Sequence, residues 1–170
     1  MQKGLLLEIL VLSASIAISG CATTTTVSQE AVPGTTLKTD APLPGAMSII
    51  APGPDIPTEM AAFSGKWFGK WLWATWGGGN RDHILIVEEI RSPSEVIVIY
   101  SYGSCRGTYK GKRTEPGWRR EMGKFVDNNT LQLSLGGRLA TYRMRKDGSL
   151  DAAWASADVG DVKATMKRIE

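Results

Sequence analysis

The chain has 170 residues, with 20 Lys and Arg against 17 Asp and Glu, a net charge of +3, and 42% hydrophobic residues. One histidine and two cysteines are too few for a His/Cys metal cluster or a disulfide framework, so no metal or other cofactor is expected. The positive excess is too small to argue for a nucleic-acid partner.

Residues 1–20 read as a segment apart from the fold. Lys3 gives a positive start, and an apolar run follows, interrupted at Glu8 and ending ILVLSASIAISG before Cys21. This is the layout of a secretory signal peptide, too short and wrongly flanked for a spanning helix. The sequence Ile18-Ser19-Gly20-Cys21 resembles the lipobox of bacterial lipoproteins. The resemblance implies cleavage before Cys21, lipidation of its thiol and an acylated N-terminus. Ala22, in place of Asp, implies the outer membrane, facing the periplasm. The lipid bilayer is then the first partner. Each buried methylene contributes about 0.8 kcal/mol, so several acyl chains hold where one would not. With Cys21 lipidated, Cys105 has no disulfide partner within the chain.

Residues 22–62 read as a linker. They open with ATTTT, carry six of the eight prolines and show neither a helical nor a strand period. Such a segment is expected to be disordered, and a flexible coil of its length averages about 35 Å end to end. Its charge is −3, from one lysine and four acids. Residues 63–170 carry eighteen Lys and Arg against twelve acids, a net of +6. A mildly basic domain suits an anionic envelope component, lipid head group or polysaccharide.

From residue 63 the pattern is of short strands separated by turn residues, and the fold class expected is all-β. Strands are predicted at 65–76, 83–90, 95–102, 117–126, 130–135, 138–145, 149–155 and 162–169. Turns are marked by SPS before the third, DNN before the fifth, and Lys146-Asp147-Gly148 before the seventh. Eight strands on short links predict an antiparallel up-and-down meander, and closure into a barrel removes both exposed edges.

Cations mark the outer face. Lys66 and Lys70 put Trp67, Trp71 and Trp73 inside. The same alternation places Leu131, Leu133, Leu135, Ala140, Tyr142, Met144, Leu150, Trp154, Val162, Ala164 and Met166 inside. The strands at 83–90 and 95–102 are apolar on both faces and do not resolve. An interior just wide enough for side chains is filled largely by Trp67, Trp71 and Trp154, beside space left at Gly65 and Gly69.

In such a meander the loops at 77–82, 103–116 and 156–161 share one end, and the tight turns share the other. The linker enters at the tight-turn end, so the long-loop end is expected to face away from the attachment point. Long loops on a rigid scaffold are where binding usually resides. The candidate ligand-binding residues are Trp73, Trp76, Tyr100, Tyr102 and Trp118, with His83 nearby and with Cys105, Arg106, Lys110, Lys112, Arg113, Arg119 and Arg120 around them. Aromatic rings beside cations stack on sugar rings or cradle an acidic, apolar ligand. The alternative is a solvated basic loop over partly buried rim aromatics.

The segment Phe63-Ser64-Gly65-Lys66-Trp67 resembles the Gly-x-Trp opening of the lipocalin and fatty-acid-binding superfamily, the calycins. The resemblance implies a lipocalin-like barrel closed at one end by Trp67, with Arg168 packed across that ring. No Thr-Asp-Tyr motif follows, the domain is short for a lipocalin and the helical lid of fatty-acid-binding proteins is missing, which argues against a large lipid cavity.

Two functions fit. One is an envelope lipoprotein whose small barrel binds a small apolar or saccharide ligand at its long-loop end. The other is a structural or interaction lipoprotein with a filled barrel that binds a partner or acts as an inhibitor. Catalysis is not expected: a Cys105–His83 pair has no supporting local motif, and Glu88 and Glu89 face opposite ways on one strand.

Overall fold

The computed structural model describes residues 37–73, 80–105, 114–156 and 160–170. Eight strands follow in chain order: β1 (Gly65–Trp73), β2 (Asn80–Ser92), β3 (Glu95–Tyr102), β4 (Gly117–Asp127), β5 (Thr130–Leu135), β6 (Arg138–Met144), β7 (Leu150–Ser156) and β8 (Gly160–Ile169). Each pairs antiparallel with the next and β8 pairs antiparallel with β1, so the chain is all-β and the sheet is a closed up-and-down barrel. One short helix, α1 (Thr58–Ala61), precedes β1.

The period-two pattern decides which side chains fill the barrel. Trp67, Trp71, Leu131, Leu133, Leu135, Ala140, Tyr142, Leu150, Val162, Ala164 and Met166 are buried, while Lys70, Arg143, Lys163 and Lys167 between them are exposed. Trp67, Trp71 and Tyr142 are among the largest fully buried side chains. They leave the lower and middle interior a packed core.

The tight-turn end is sealed by the residues just before β1. Met60 and Phe63 are buried, and Phe63 meets Phe125 edge-to-face at 5.1 Å. The indole Nε1–H of Trp67 donates to the Phe63 carbonyl at 2.9 Å. Arg168, opposite Trp67 in the β1–β8 ladder, lays its guanidinium 4.3 Å from that ring and donates to the Ser64 and Ala62 carbonyls, each at 2.6 Å. Gly65 makes this possible: its φ is +123°, and a Cβ there would collide with Arg168 Nη1. The room at Gly65 is thus taken by a guanidinium rather than by a ring.

Residues 37–50 correct the extent of the predicted linker. They form a strap packed on the outer face of the barrel. Ala41 is buried and, with Leu37, covers Ile84, Ile86 and Ile99 beside Phe68 and Ile169. Ser101 Oγ donates to the Pro42 carbonyl at 2.5 Å, and Ile50 N–H donates to the Glu88 carbonyl at 2.7 Å. Ser104 donates to the Asp40 carboxylate from its backbone N–H at 3.0 Å and from its hydroxyl. The close approach of Asp40 needs Gly103, where any Cβ would meet the carboxylate. A proline-rich strand of this kind suits the task, because proline has no N–H to leave unpaired against the sheet. The strap also explains the two apolar faces of β2 and β3: one lines the barrel and the other lies under the strap.

The strap changes the expected geometry of attachment as well. The chain enters β1 at the tight-turn end, as the meander requires. Asp40, however, lies beside Ser104, just past the end of β3 at the long-loop end. The described chain therefore starts near the long-loop end rather than opposite it.

Candidate functional site

Above the tryptophan core, the interior changes from apolar to polar at His83. The imidazole is fully buried and stacks on Trp71 at 5.0 Å with an interplanar angle of 16°. Its Nδ1 lies 2.9 Å from the Ser101 carbonyl and its Nε2 lies 2.9 Å from the Tyr142 hydroxyl. A carbonyl can only accept, so Nδ1 carries the proton and Nε2 accepts from Tyr142. Burial holds His83 neutral, its pKa lowered to about 3 by desolvation, with Arg81 adding to the fall and the Ser101 hydrogen bond opposing it. Burial likewise raises the Tyr142 phenol well above its ordinary value and raises Tyr100, whose ring lies 4.7 Å from His83. Both phenols stay protonated at neutral pH.

Tyr100 of this layer lines a cavity of about 260 Å³ at the long-loop end. Arg81 and Tyr100 with Tyr102 reach it from β2 and β3, Arg119 from β4, Leu135 and Gly136 from the end of β5, Arg138 from β6 and Trp154 from β7, with Thr114 at the rim. At roughly 30 Å³ per water the cavity has space for eight or nine waters, or for one small organic molecule.

The cations are held by their neighbours. Arg81 Nε donates to the Gly103 carbonyl at 2.6 Å, and its guanidinium lies 4.0 Å from the Tyr102 ring. Burial lowers the Arg81 pKa, and Tyr100, Tyr102, Cys105 and Asp40 oppose that fall. Arg138 sits 5.4 Å from the Trp154 ring, and Arg119 Nε is 3.6 Å from Glu121. The Trp154 Nε1–H is buried and has no hydrogen-bond acceptor among the described residues. The buried Trp71 N–H lies near the Tyr100 hydroxyl but short of hydrogen-bond geometry. Among the described residues no carboxylate lines the cavity.

Of the residues read from the sequence as ligand-binding, Tyr100 and Tyr102 stand in the cavity wall. Trp118 does not. Arg119 next to it lines the cavity, so alternation along β4 turns Trp118 outwards, where it is 42% exposed and pairs with Ser101. Trp76 and the side chain of Trp73 lie outside the described residues, as do Arg106, Lys110, Lys112 and Arg113. Arg120 turns away too, forming a two-pronged pair with Glu88 at 2.6 and 3.0 Å under the edge of the strap. Both ring nitrogens of His83 are engaged by Ser101 and Tyr142, which leaves none for a thiol–imidazole pair with the buried Cys105.

Arg81, Arg138 and the cavity role of Trp154 are what reading the sequence missed. A signal was present, since Arg138 shares its parity with Ala140 and Tyr142, and Arg81 shares its parity with His83 and Leu85. Taking every cation as an outer-face marker hid it.

No protein-family model matches the chain. No curated protein is similar to it.

Proposed function

We propose that this protein is an envelope lipoprotein, anchored in the outer membrane through acylated Cys21, whose barrel is a binding module for a small ligand at its long-loop end. The observation that carries the reading is the cavity of about 260 Å³ walled by Tyr100, Tyr102 and Trp154 above an otherwise filled barrel. Its size and mixed lining support a saccharide or similarly compact molecule. The packed interior around Trp67, Trp71 and Tyr142 speaks against a long acyl chain. The Gly65, Trp67 and Arg168 arrangement supports kinship with the calycins. We read the protein as a binder rather than an enzyme: the buried imidazole is neutral and both of its nitrogens are hydrogen-bonded, so it is a poor general base.

Two measurements test this. Full-length chain with Cys21→Ser should lose membrane association and acyl labelling, and retention of both would remove the anchor from the reading. Titration of tryptophan fluorescence with mono- and disaccharides and with short fatty acids should give a saturable response to at least one compound. Silence across the whole panel would favour the second reading, a partner-binding lipoprotein. One observation favours that alternative: Leu43, Met47, Ile49 and Ile50 of the strap, with Trp118 and Met122 on the outer face of β4, are exposed apolar side chains.

A further inference from the structure

The geometry points to an oxyanion as the group this cavity recognises: the carboxylate or phosphate of a small acidic ligand. The inference rests on the binding-module reading above and narrows it to a chemical class.

The polar side chains of the wall are almost all donors. Arg81, Arg119 and Arg138 supply guanidinium N–H groups and nothing that accepts. Tyr100 and Tyr102 supply hydroxyls that can donate, whereas the Trp154 indole N–H is buried out of reach of the cavity space, with no acceptor among the described residues. A neutral sugar brings an O–H donor with every hydroxyl, and those donors would find few acceptors in this wall. An oxyanion presents only acceptors and meets arginine in a two-pronged geometry.

Charge leads to the same conclusion. Three guanidiniums face one small cavity that no described carboxylate lines. Among the described residues Asp40 acts on Arg81, and Glu121 lies 3.6 Å from Arg119 Nε. They moderate the positive field without filling the site. The hydrogen bonds of Arg81 run to the carbonyls of Gly103 and Glu115, at 2.6 and 3.4 Å, which orient the guanidinium. Its stacking on Tyr102, like that of Arg138 near Trp154, fixes the direction of the fork, and a pre-set fork loses less freedom on binding.

The test uses matched probes on the full chain, by calorimetry and by tryptophan fluorescence: glucose, glucuronate, glucose 6-phosphate and inorganic phosphate. Glucuronate, glucose 6-phosphate or both should bind at least ~10-fold more tightly than glucose, the least expected from a charge-assisted hydrogen bond to arginine. The preference should shrink in 0.5 M NaCl, where the Debye length is only a few Å. Saturable binding of inorganic phosphate supports the site as well. Arg138→Gln and Arg119→Gln, both at exposed positions, should each weaken the acidic probe roughly 10-fold with the urea midpoint unchanged. Trp118→Ala, on the outer face, should leave all affinities as they are. Glucose binding as tightly as its acidic partners would overturn the oxyanion assignment and leave the binding-module reading standing. No binding of any of the four, nor of the wider panel, would overturn both.

Discussion

The buried imidazole makes a prediction that a chain with a single histidine lets one read without ambiguity. In the unfolded chain His83 titrates at its ordinary value of 6.5, whereas in the barrel its pKa is about 3. Between those values the unfolded chain binds a proton that the folded chain refuses. Stability is therefore at its full value above pH 6.5 and falls as the pH is lowered. From pH 6.5 to 5.0 the loss is about 1.6 kcal/mol, because the unfolded imidazole is half protonated at pH 6.5 and the slope approaches 1.36 kcal/mol per unit only below it. Against a total of about 5–15 kcal/mol, this is a large fraction. Urea unfolding followed by tryptophan fluorescence at pH 7.5, 6.5 and 5.0 should show little change over the first interval and a midpoint lower by about 1 M over the second, for a slope of ~2 kcal/mol per M. The imidazole proton resonances of the folded protein should not titrate above pH 5. A folded-state titration near 6.5, or a stability flat down to pH 5, would refute the neutral buried imidazole and with it the hydrogen-bonded layer around His83.

Other consequences follow from the same contacts. Tyr142→Phe removes the donor to His83 Nε2 and leaves a buried acceptor unpaired, a cost of about 1–3 kcal/mol measurable as a urea midpoint shift, with the acid slope kept because desolvation sets it. Arg168→Ala loses two hydrogen bonds and the contact over Trp67, about 1–2 kcal/mol at this partly exposed position. Arg168→Lys should recover less than half of that, since an ammonium cannot serve both carbonyls and the ring at once. Ala41→Asp places a charge where the side chain is 6% exposed, so the strap should detach, with protease cleavage appearing within residues 37–50 while the near-ultraviolet circular dichroism of the barrel persists. Tyr102→Ala should lower affinity for whichever probe binds, by removing the ring on which Arg81 rests.

What could be read from the sequence was what period-two alternation encodes. The residues of β5, β6 and β8 that alternate with cations or polar residues are those inside, and the predicted bounds of β3 and β5 match the observed ones. Alternation was silent on β2 and β3, because the second apolar face there answers to a segment some forty residues earlier in the chain. That segment reads as a linker on composition alone. Nothing local marks Ala41 as a core residue; it becomes one only because Ile84, Ile86 and Ile99 need covering. The site divides in the same way. Tyr100 and Tyr102 were legible as aromatics at the long-loop end of a clear strand, although the face they point to was not. Arg81 and Arg138 were not, because a cation on the inward parity at a strand's end looks like a solvent-facing one until the rim closes around it.

The strap also bears on how an anchored barrel would present its cavity. If residues 22–62 were all tether, the attachment would run to the tight-turn end and the mouth would point outward. The packed chain instead reaches Asp40 at the long-loop end before it leaves, and Leu37 is three residues away, about 11 Å at most. Under the proposed lipidation only residues 22–36 separate the anchor from that point, and no conformation carries them beyond about 58 Å. On that proposal the tether would join the described chain at the cavity's end of the barrel, where Asp40 contacts Ser104. Asp40→Ala should weaken that contact and, by removing a carboxylate that acts on Arg81, raise affinity for an acidic probe rather than lower it. A fall in affinity would mean that the strap holds the rim of the cavity in shape and that its negative charge matters less than its hydrogen bonds.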